Sequence, residues 1–188
     1  MTNDIQPPGD FPGLVFVVDN DLSVREALSI LIRSGNLRVE TFSSANEFLR
    51  RTGSDTPSCL VLDVRLPDLN GLALQRDLAA VDDQIPIIFI TGHGDIPMTV
   101  LAIKAGALAF LPKPFEEQEL LDAIAKAIKQ DAEARLERSK LAGSKARFET
   151  LSKREREVME RVVRGLLNKQ VAGELGPVRR RSKFSGAR

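Results

Sequence analysis

Cys59-Leu60-Val61-Leu62-Asp63-Val64-Arg65-Leu66-Pro67-Asp68-Leu69-Asn70-Gly71 is the stretch on which the reading of this chain turns. A short, unbroken apolar run ends on an aspartate, and a loop holding Pro67, Asn70 and Gly71 follows. An apolar run without alternation suits a strand covered on both faces, as in a parallel sheet. In such sheets the chemistry gathers at the carboxyl ends of the strands. Asp63 stands at one such end. A lone aspartate there is equally well explained as a loop cap, so its meaning depends on what the other strands end in.

Outward from that stretch the same pattern recurs. The valine-rich run Leu14–Val18 ends in Asp19-Asn20-Asp21, the run 85–90 in Thr91-Gly92-His93-Gly94-Asp95, and the run 109–111 in Pro112-Lys113-Pro114-Phe115. Residues 38–42 make a further short strand. Between the strands apolar residues fall at helical spacing. Val24, Ala27, Leu28, Leu31 and Ile32 predict a helix over 23–33, and Leu120, Leu121, Ile124, Ala127 and Ile128 one over 116–128. Further helices are predicted over 45–51, with Ser44 as N-cap, over 72–80, and over 98–105 up to Gly106. Five βα units in about 120 residues imply an α/β, doubly wound, five-stranded parallel sheet. Its natural strand order is the flavodoxin-like 2-1-3-4-5, with the switch point between strands one and three. Asp19, Asn20 and Asp63 then meet at one crevice.

Clustered carboxylates repel unless a cation joins them. Oxygen donors with few protein groups suit Mg²⁺, which keeps waters and bridges to phosphate. A carboxylate beside such an ion can be a nucleophile toward phosphorus. Lys113 offers a compact positive charge and Thr91 a hydroxyl. The set describes a phosphoryl-transfer site that works by positioning and charge stabilisation. Flavin binding, the rival use of this fold, is disfavoured because Asp19-Asn20-Asp21 would repel its phosphate. His93 has no second histidine to complete a ligand set, and Phe110 alone reads as core.

Composition bounds the rest. Among 188 residues the single cysteine, Cys59, lies in an apolar strand, so no disulfide can form within the chain and a reducing, cytoplasmic setting is expected. Residues 1–13 carry prolines and glycines and read as a flexible leader, not a signal peptide. No apolar run nears the ~20 residues of a membrane span, so no membrane partner is expected. The net charge of +1 hides −7 over residues 1–130 and +8 over 131–188. Halves of opposite sign point to two jobs, and the basic one has the electrostatics nucleic acid would use.

The motifs Val-Val-Asp-Asn-Asp, Leu-Val-Leu-Asp-Val-Arg-Leu-Pro, Phe-Ile-Thr-Gly-His-Gly-Asp-Ile-Pro-Met and Phe-Leu-Pro-Lys-Pro-Phe occur in that order. Together they make residues 14–128 resemble the receiver of a two-component response regulator of the FixJ/LuxR-type class. The resemblance implies that Asp63 is phosphorylated by a sensor histidine kinase. It implies a Mg²⁺ pocket of Asp19, Asn20, Asp63 and the Arg65 backbone carbonyl. It gives Thr91 and Lys113 contacts to the phosphoryl group, and makes Phe110 an aromatic that turns inward in concert with Thr91. It also implies a homodimer through helix four, strand five and helix five, and a cis bond at Lys113–Pro114. One departure stands out. The second acid of the usual pair is here Asn20, which brings an oxygen but no charge.

Residues 131–144, rich in Ala, Glu, Arg and Lys, are expected to be a solvated continuation of helix five and a linker ending near Gly143-Ser144. Ser152 followed by Glu155 is a capping box that opens a helix with Val158, Val162 and Met159 on its apolar face. Gly165 ends that helix, and residues 166–176 read as a second one. The pair resembles the opening of a LuxR-type helix-turn-helix domain. The family would next supply a recognition helix and a fourth helix. Residues 177–188 lack apolar periodicity, so the recognition helix is expected to be missing and the basic tail to touch DNA phosphates only weakly.

The resulting expectation is a leader (1–13), a receiver (14–130), a helical linker (131–150), an incomplete all-α helix-turn-helix (151–176) and a basic tail (177–188). Its function is that of a non-enzymatic, phosphorylation-controlled response regulator built to regulate transcription through DNA. The alternative is a stand-alone receiver that accepts phosphate, or competes for the kinase, without touching DNA.

Overall fold

The computed structural model describes residues 13–81, 83–92 and 96–163. The expectations for His93, for the 166–176 helix and for the basic tail lie outside the described residues. The chain divides into two units, meeting between Glu137 and Arg138.

In the first unit the strands are β1 (Leu14–Val18), β2 (Arg38–Phe42), β3 (Ser58–Asp63), β4 (Ile87–Thr91) and β5 (Ala109–Pro112). All pair in parallel, in the order β2-β1-β3-β4-β5. Alternate side chains leave opposite faces of a strand. Phe16, Val18, Leu60, Leu62 and Phe89 therefore face α2 (Ala45–Leu49), α3 (Gly71–Ala80) and α4 (Ile96–Lys104). Val15, Val17, Val61, Ile88 and Ile90 face α1 (Leu22–Ser34) and α5 (Glu117–Thr150). Both faces are buried, which is why the strands read as continuous apolar runs. Cys59 is one of these buried residues, and burial, with the charge of Asp131, pushes its thiol up to about 12.

The structure moves several boundaries. β4 begins at Ile87 rather than Ile85, because Pro86 has no N–H to give a ladder, although its carbonyl accepts from Leu60 at 2.9 Å. α4 begins at Ile96, with Pro97 in its first turn, where a missing N–H is harmless. α2 stops at Leu49.

The larger correction concerns the solvated linker expected over residues 131–144. Asp131 is not solvated but 2 % exposed. Its Oδ2 accepts from the Ser58 N–H at 2.8 Å and from Arg135 Nε at 2.6 Å, and Arg135 Nη1 donates to the Ser54 carbonyl at 2.7 Å. The helix therefore stays fastened to the start of β3 for a turn and a half past residue 130. No linker ends at Gly143-Ser144 either: α5 continues to Thr150. Its run of Ala, Glu, Arg and Lys has enough intrinsic helix preference to carry one glycine, which costs about 1 kcal/mol.

In the second unit α6 spans Lys153–Val163. The capping box is formed as expected. Ser152 Oγ accepts the Glu155 N–H at 3.3 Å, and Glu155 Oε2 accepts the Ser152 N–H at 2.8 Å.

Candidate phosphoacceptor site

Apart from Phe110, which lies within β5, each functional side chain expected from the sequence lies at a strand's carboxyl end or on the loop that follows. Asp19 follows β1 directly and is 1 % exposed. Asp63 closes β3 and is 7 % exposed, and Thr91 closes β4 at 1 %. Lys113 follows β5, and its backbone N–H donates to the Thr91 carbonyl at 2.7 Å. Its peptide bond to Pro114 is cis.

The geometry converges on the lysine. Lys113 Nζ lies 2.8 Å from Asp19 Oδ2 and 3.5 Å from Asp63 Oδ1. The other Asp19 oxygen accepts the Asp21 N–H at 2.8 Å. The β1–α1 turn is fixed from both sides. Asp21 caps α1 by accepting the Ser23 N–H at 2.8 Å, while Arg25 donates to the Asp19 carbonyl at 2.7 Å. Neither the Asp21 cap nor the Arg25 brace was foreseen from the sequence.

Two carboxylates share one ammonium, and the charge does not balance. Burial pushes the Asp63 carboxyl up from its ordinary value. Lys113 pulls it down, the Asp19 charge pushes it up, and the Arg65 N–H pulls it down again, but the net direction is upward. Asp63 is thus the group in the cluster short of positive charge.

That shortage is the test for Mg²⁺. Among the described residues no three His, Cys, Asp or Glu side chains form a metal cluster. Mg²⁺ does not need one: one or two carboxylates, with waters and substrate phosphate, complete its shell. Asp19 and Asp63 supply that pair, so the donor set fits the ion. Asn20 and Arg65 are both solvent-exposed.

Phe110 is half-buried, its ring centroid 6.2 Å from that of Phe89, its register partner on β4. Thr91 is the next residue but one after Phe89, so the two expected switch residues lie on neighbouring strands.

The β3–α3 loop is closed tightly at its base. The Gly71 N–H donates to the Val64 carbonyl at 2.9 Å. A Cβ on Gly71 would sit 2.8 Å from the Asp63 carbonyl oxygen and 3.1 Å from the Phe89 ring. Only glycine lets the chain return this close to Asp63. Gly71→Ala is expected to lose about 1–3 kcal/mol through overpacking, read by urea denaturation, because the clash is with backbone that cannot rotate away.

Comparison with known proteins agrees with this arrangement. Residues 15–125 match the family described as response regulator receiver domain, and residues 149–176 the bacterial regulatory proteins of the luxR family. Nodulation protein W of Bradyrhizobium diazoefficiens is 56 % identical over 163 residues, covering 87 % of this chain and 72 % of that protein. The response regulator protein TmoT of Ectopseudomonas mendocina is 51 % identical over 170 residues, covering 90 % of this chain and 77 % of that protein. The solved structure of response regulator StyR superposes with a TM-score of 0.80 at 52 % identity, covering 89 % of this chain and 84 % of that one. Full-length FixJ from B. japonicum superposes at 0.61 with 40 % identity, covering 86 % and 80 %. A luxR-family match following the receiver match does not favour a stand-alone receiver. The chain belongs to the response regulators of two-component systems, with a receiver followed by a luxR-family helix-turn-helix segment that places it among transcriptional regulators.

Proposed function

We propose that Asp63 is the phosphoacceptor and that a sensor histidine kinase is the donor. The observation that carries this reading is the Asp63 carboxylate, buried at the end of β3 and sharing Lys113 Nζ, at 3.5 Å, with Asp19. An Asp63 oxygen forms the new O–P bond, the P–N bond of a phosphohistidine breaks, and the imidazole nitrogen keeps the electron pair. Asp19 holds Lys113 in place to meet the phosphoryl oxygens, and Thr91 offers its hydroxyl to the same group. Bound Mg²⁺, held by Asp19, Asn20, Asp63 and the Arg65 carbonyl, would supply the positive charge that offsets the incoming phosphate. Incubating the full chain with acetyl phosphate and Mg²⁺ should add one phosphoryl group by intact mass. No uptake under those conditions would sink the reading.

Phosphorylation then biases a two-state element. Thr91 and Phe110 are the proposed switch pair, and the face of α4, β5 and α5 is the proposed dimer contact. Val100, Leu101 and Ile103, at 43, 60 and 45 % exposure on α4, are large apolar side chains in keeping with such a contact. The receiver's proposed role is non-enzymatic, and its output is DNA binding by the luxR-family segment.

Asn20 bears on the metal. Replacing a carboxylate by an amide removes one unit of charge from the ligand set. Asn20→Asp is therefore expected to tighten Mg²⁺ by about tenfold, equivalent to ~1.4 kcal/mol, as followed by titration calorimetry. Equal affinity in the two proteins would show that residue 20 is no ligand.

A further inference from the structure

We propose that Asp68 is a positioning residue for phosphoryl transfer: its carboxylate pins the β3–α3 loop to the start of α2 and so fixes the Arg65 carbonyl. The proposal rests on the reading of Asp63 as phosphoacceptor and deepens it.

The loop between Asp63 and α3 is held at two places. Its base is the bond from the Gly71 N–H to Val64, with no room at Gly71 for a side chain. Its far side is Asp68. Oδ1 accepts the Ala45 N–H at 3.3 Å and Oδ2 the Asn46 N–H at 2.9 Å. Leu66 and Leu69 also pack half-buried on the adjoining core, but apolar contact has no direction. The carboxylate is the directional tie.

α2 does not depend on Asp68 for its cap. Ser44 already accepts the Glu47 N–H at 3.2 Å, and Glu47 reaches back to the Ser43 N–H and hydroxyl at 2.7 and 2.8 Å. Asp68 instead adds a bond pair between segments 22 and 23 residues apart. The bonds are made by the ionised form. Burial opposes its charge, but the N–H groups of Asn46 and Ala45, with those of Asp68 and Leu69, outweigh that and hold the carboxyl below the ordinary range.

The link to chemistry runs through Arg65. Its N–H acts to lower the Asp63 carboxyl, and it lies between the two tied points of the loop. The peptide carrying the Arg65 N–H is already held through the Val64 carbonyl by the Gly71 N–H, so the part of Arg65 that depends on the far tie is its own carbonyl. A loop freed at Asp68 would let the Arg65 carbonyl proposed for Mg²⁺ wander. Groups that orient ligands in this way are worth about 10–100-fold in metal affinity or activity when removed.

The test compares the full chain with Asp68→Ala and Ser44→Ala, using acetyl phosphate as donor. Both variants remove hydrogen bonds from the first turn of α2, but only Asp68→Ala frees the loop. Asp68→Ala is expected to raise the Mg²⁺ concentration for half-maximal phosphorylation about tenfold, with most of the rate recovered at saturating Mg²⁺. Ser44→Ala is expected to lower the melting temperature comparably while leaving the Mg²⁺ requirement unchanged. Asp68→Asn, which keeps the shape but offers one acceptor oxygen to two donors, should fall between and covers the case of an unstable alanine variant. An unchanged Mg²⁺ requirement in Asp68→Ala or Asp68→Asn, or an equal rise in Ser44→Ala, would overturn the proposal. Failure of the unmodified chain to accept phosphate would instead overturn the assignment of Asp63.

Discussion

Asp63→Asn should abolish phosphoryl uptake from a small phosphodonor and, at neutral pH, leave the receiver more stable than before. The two effects come from one fact. Asp63 sits beside Asp19 with a single lysine between them, 2.8 Å from one and 3.5 Å from the other. Its folded carboxyl lies above its ordinary value because burial and the Asp19 charge outweigh the help from Lys113 and the Arg65 N–H. For an acid shifted upward, the folded state holds its proton longer than the unfolded chain does. Stability therefore falls as pH rises from the ordinary carboxylate range through the raised folded pKa, and the loss persists above it. An asparagine carries no charge and escapes that loss. Melting temperature against pH should show a smaller decline for the variant across that window, and intact mass should show no phosphoryl adduct. Labelling that persisted on Asp63→Asn would place the acceptor elsewhere. A variant that melted lower at neutral pH would mean the ionised carboxylate is a net support to the fold, contrary to the arrangement around it.

Asp131→Ala should be the most damaging single change outside the cluster of Asp19, Asp63 and Lys113. Its carboxylate is 2 % exposed and serves two donors at once, the N–H that opens β3 and the Arg135 guanidinium. Removing it leaves the Ser58 N–H buried with no acceptor, a loss of about 1–3 kcal/mol. It also strands Arg135, although that side chain, 32 % exposed, can turn to water, so the full cost of an orphaned buried charge does not apply. A total near 3 kcal/mol is expected, lowering the melting temperature by roughly 10 °C for a domain of this size. Arg135→Ala should cost less, since Asp131 keeps its bond to Ser58. Equal and small losses in both variants would mean that the helix is held by Leu120, Ile124 and Ala127 alone. Because Asp131 lies at the amino end of β3 and Asp63 at the carboxyl end, Asp131→Ala should leave the Mg²⁺ requirement for phosphorylation unchanged in whatever fraction stays folded.

The sheet was legible because its signal is local. A strand buried on both faces shows as an apolar run, and the four site residues Asp19, Asp63, Thr91 and Lys113 stand where such runs stop. The capping box at Ser152 and Glu155 was legible for the same reason, since its partners are three residues apart. What escaped depends on partners far along the chain. Asp131 looks solvated among Glu, Arg and Lys, and the N–H it accepts is 73 residues away. Asp68 reads as one more polar turn residue until the fold brings the start of α2 beside it. Gly143 misled in the opposite direction: a residue that often ends helices was carried along by good helix formers on both sides.

The fastening of α5 to β3 has a practical side for anyone joining this receiver to another output. A cut chosen by where the βα pattern fades, after residue 130, would remove both Asp131 and Arg135 and leave the Ser58 N–H and Ser54 carbonyl without the partners they hold here. Chimeras spliced there would inherit a weakened receiver whatever was attached, and a poor result would be blamed on the new module. A seam placed after Glu137 keeps the clasp whole, and α5 is already helical on both sides of it. The interchangeable part therefore begins about two turns later than the repeat of strands and helices implies.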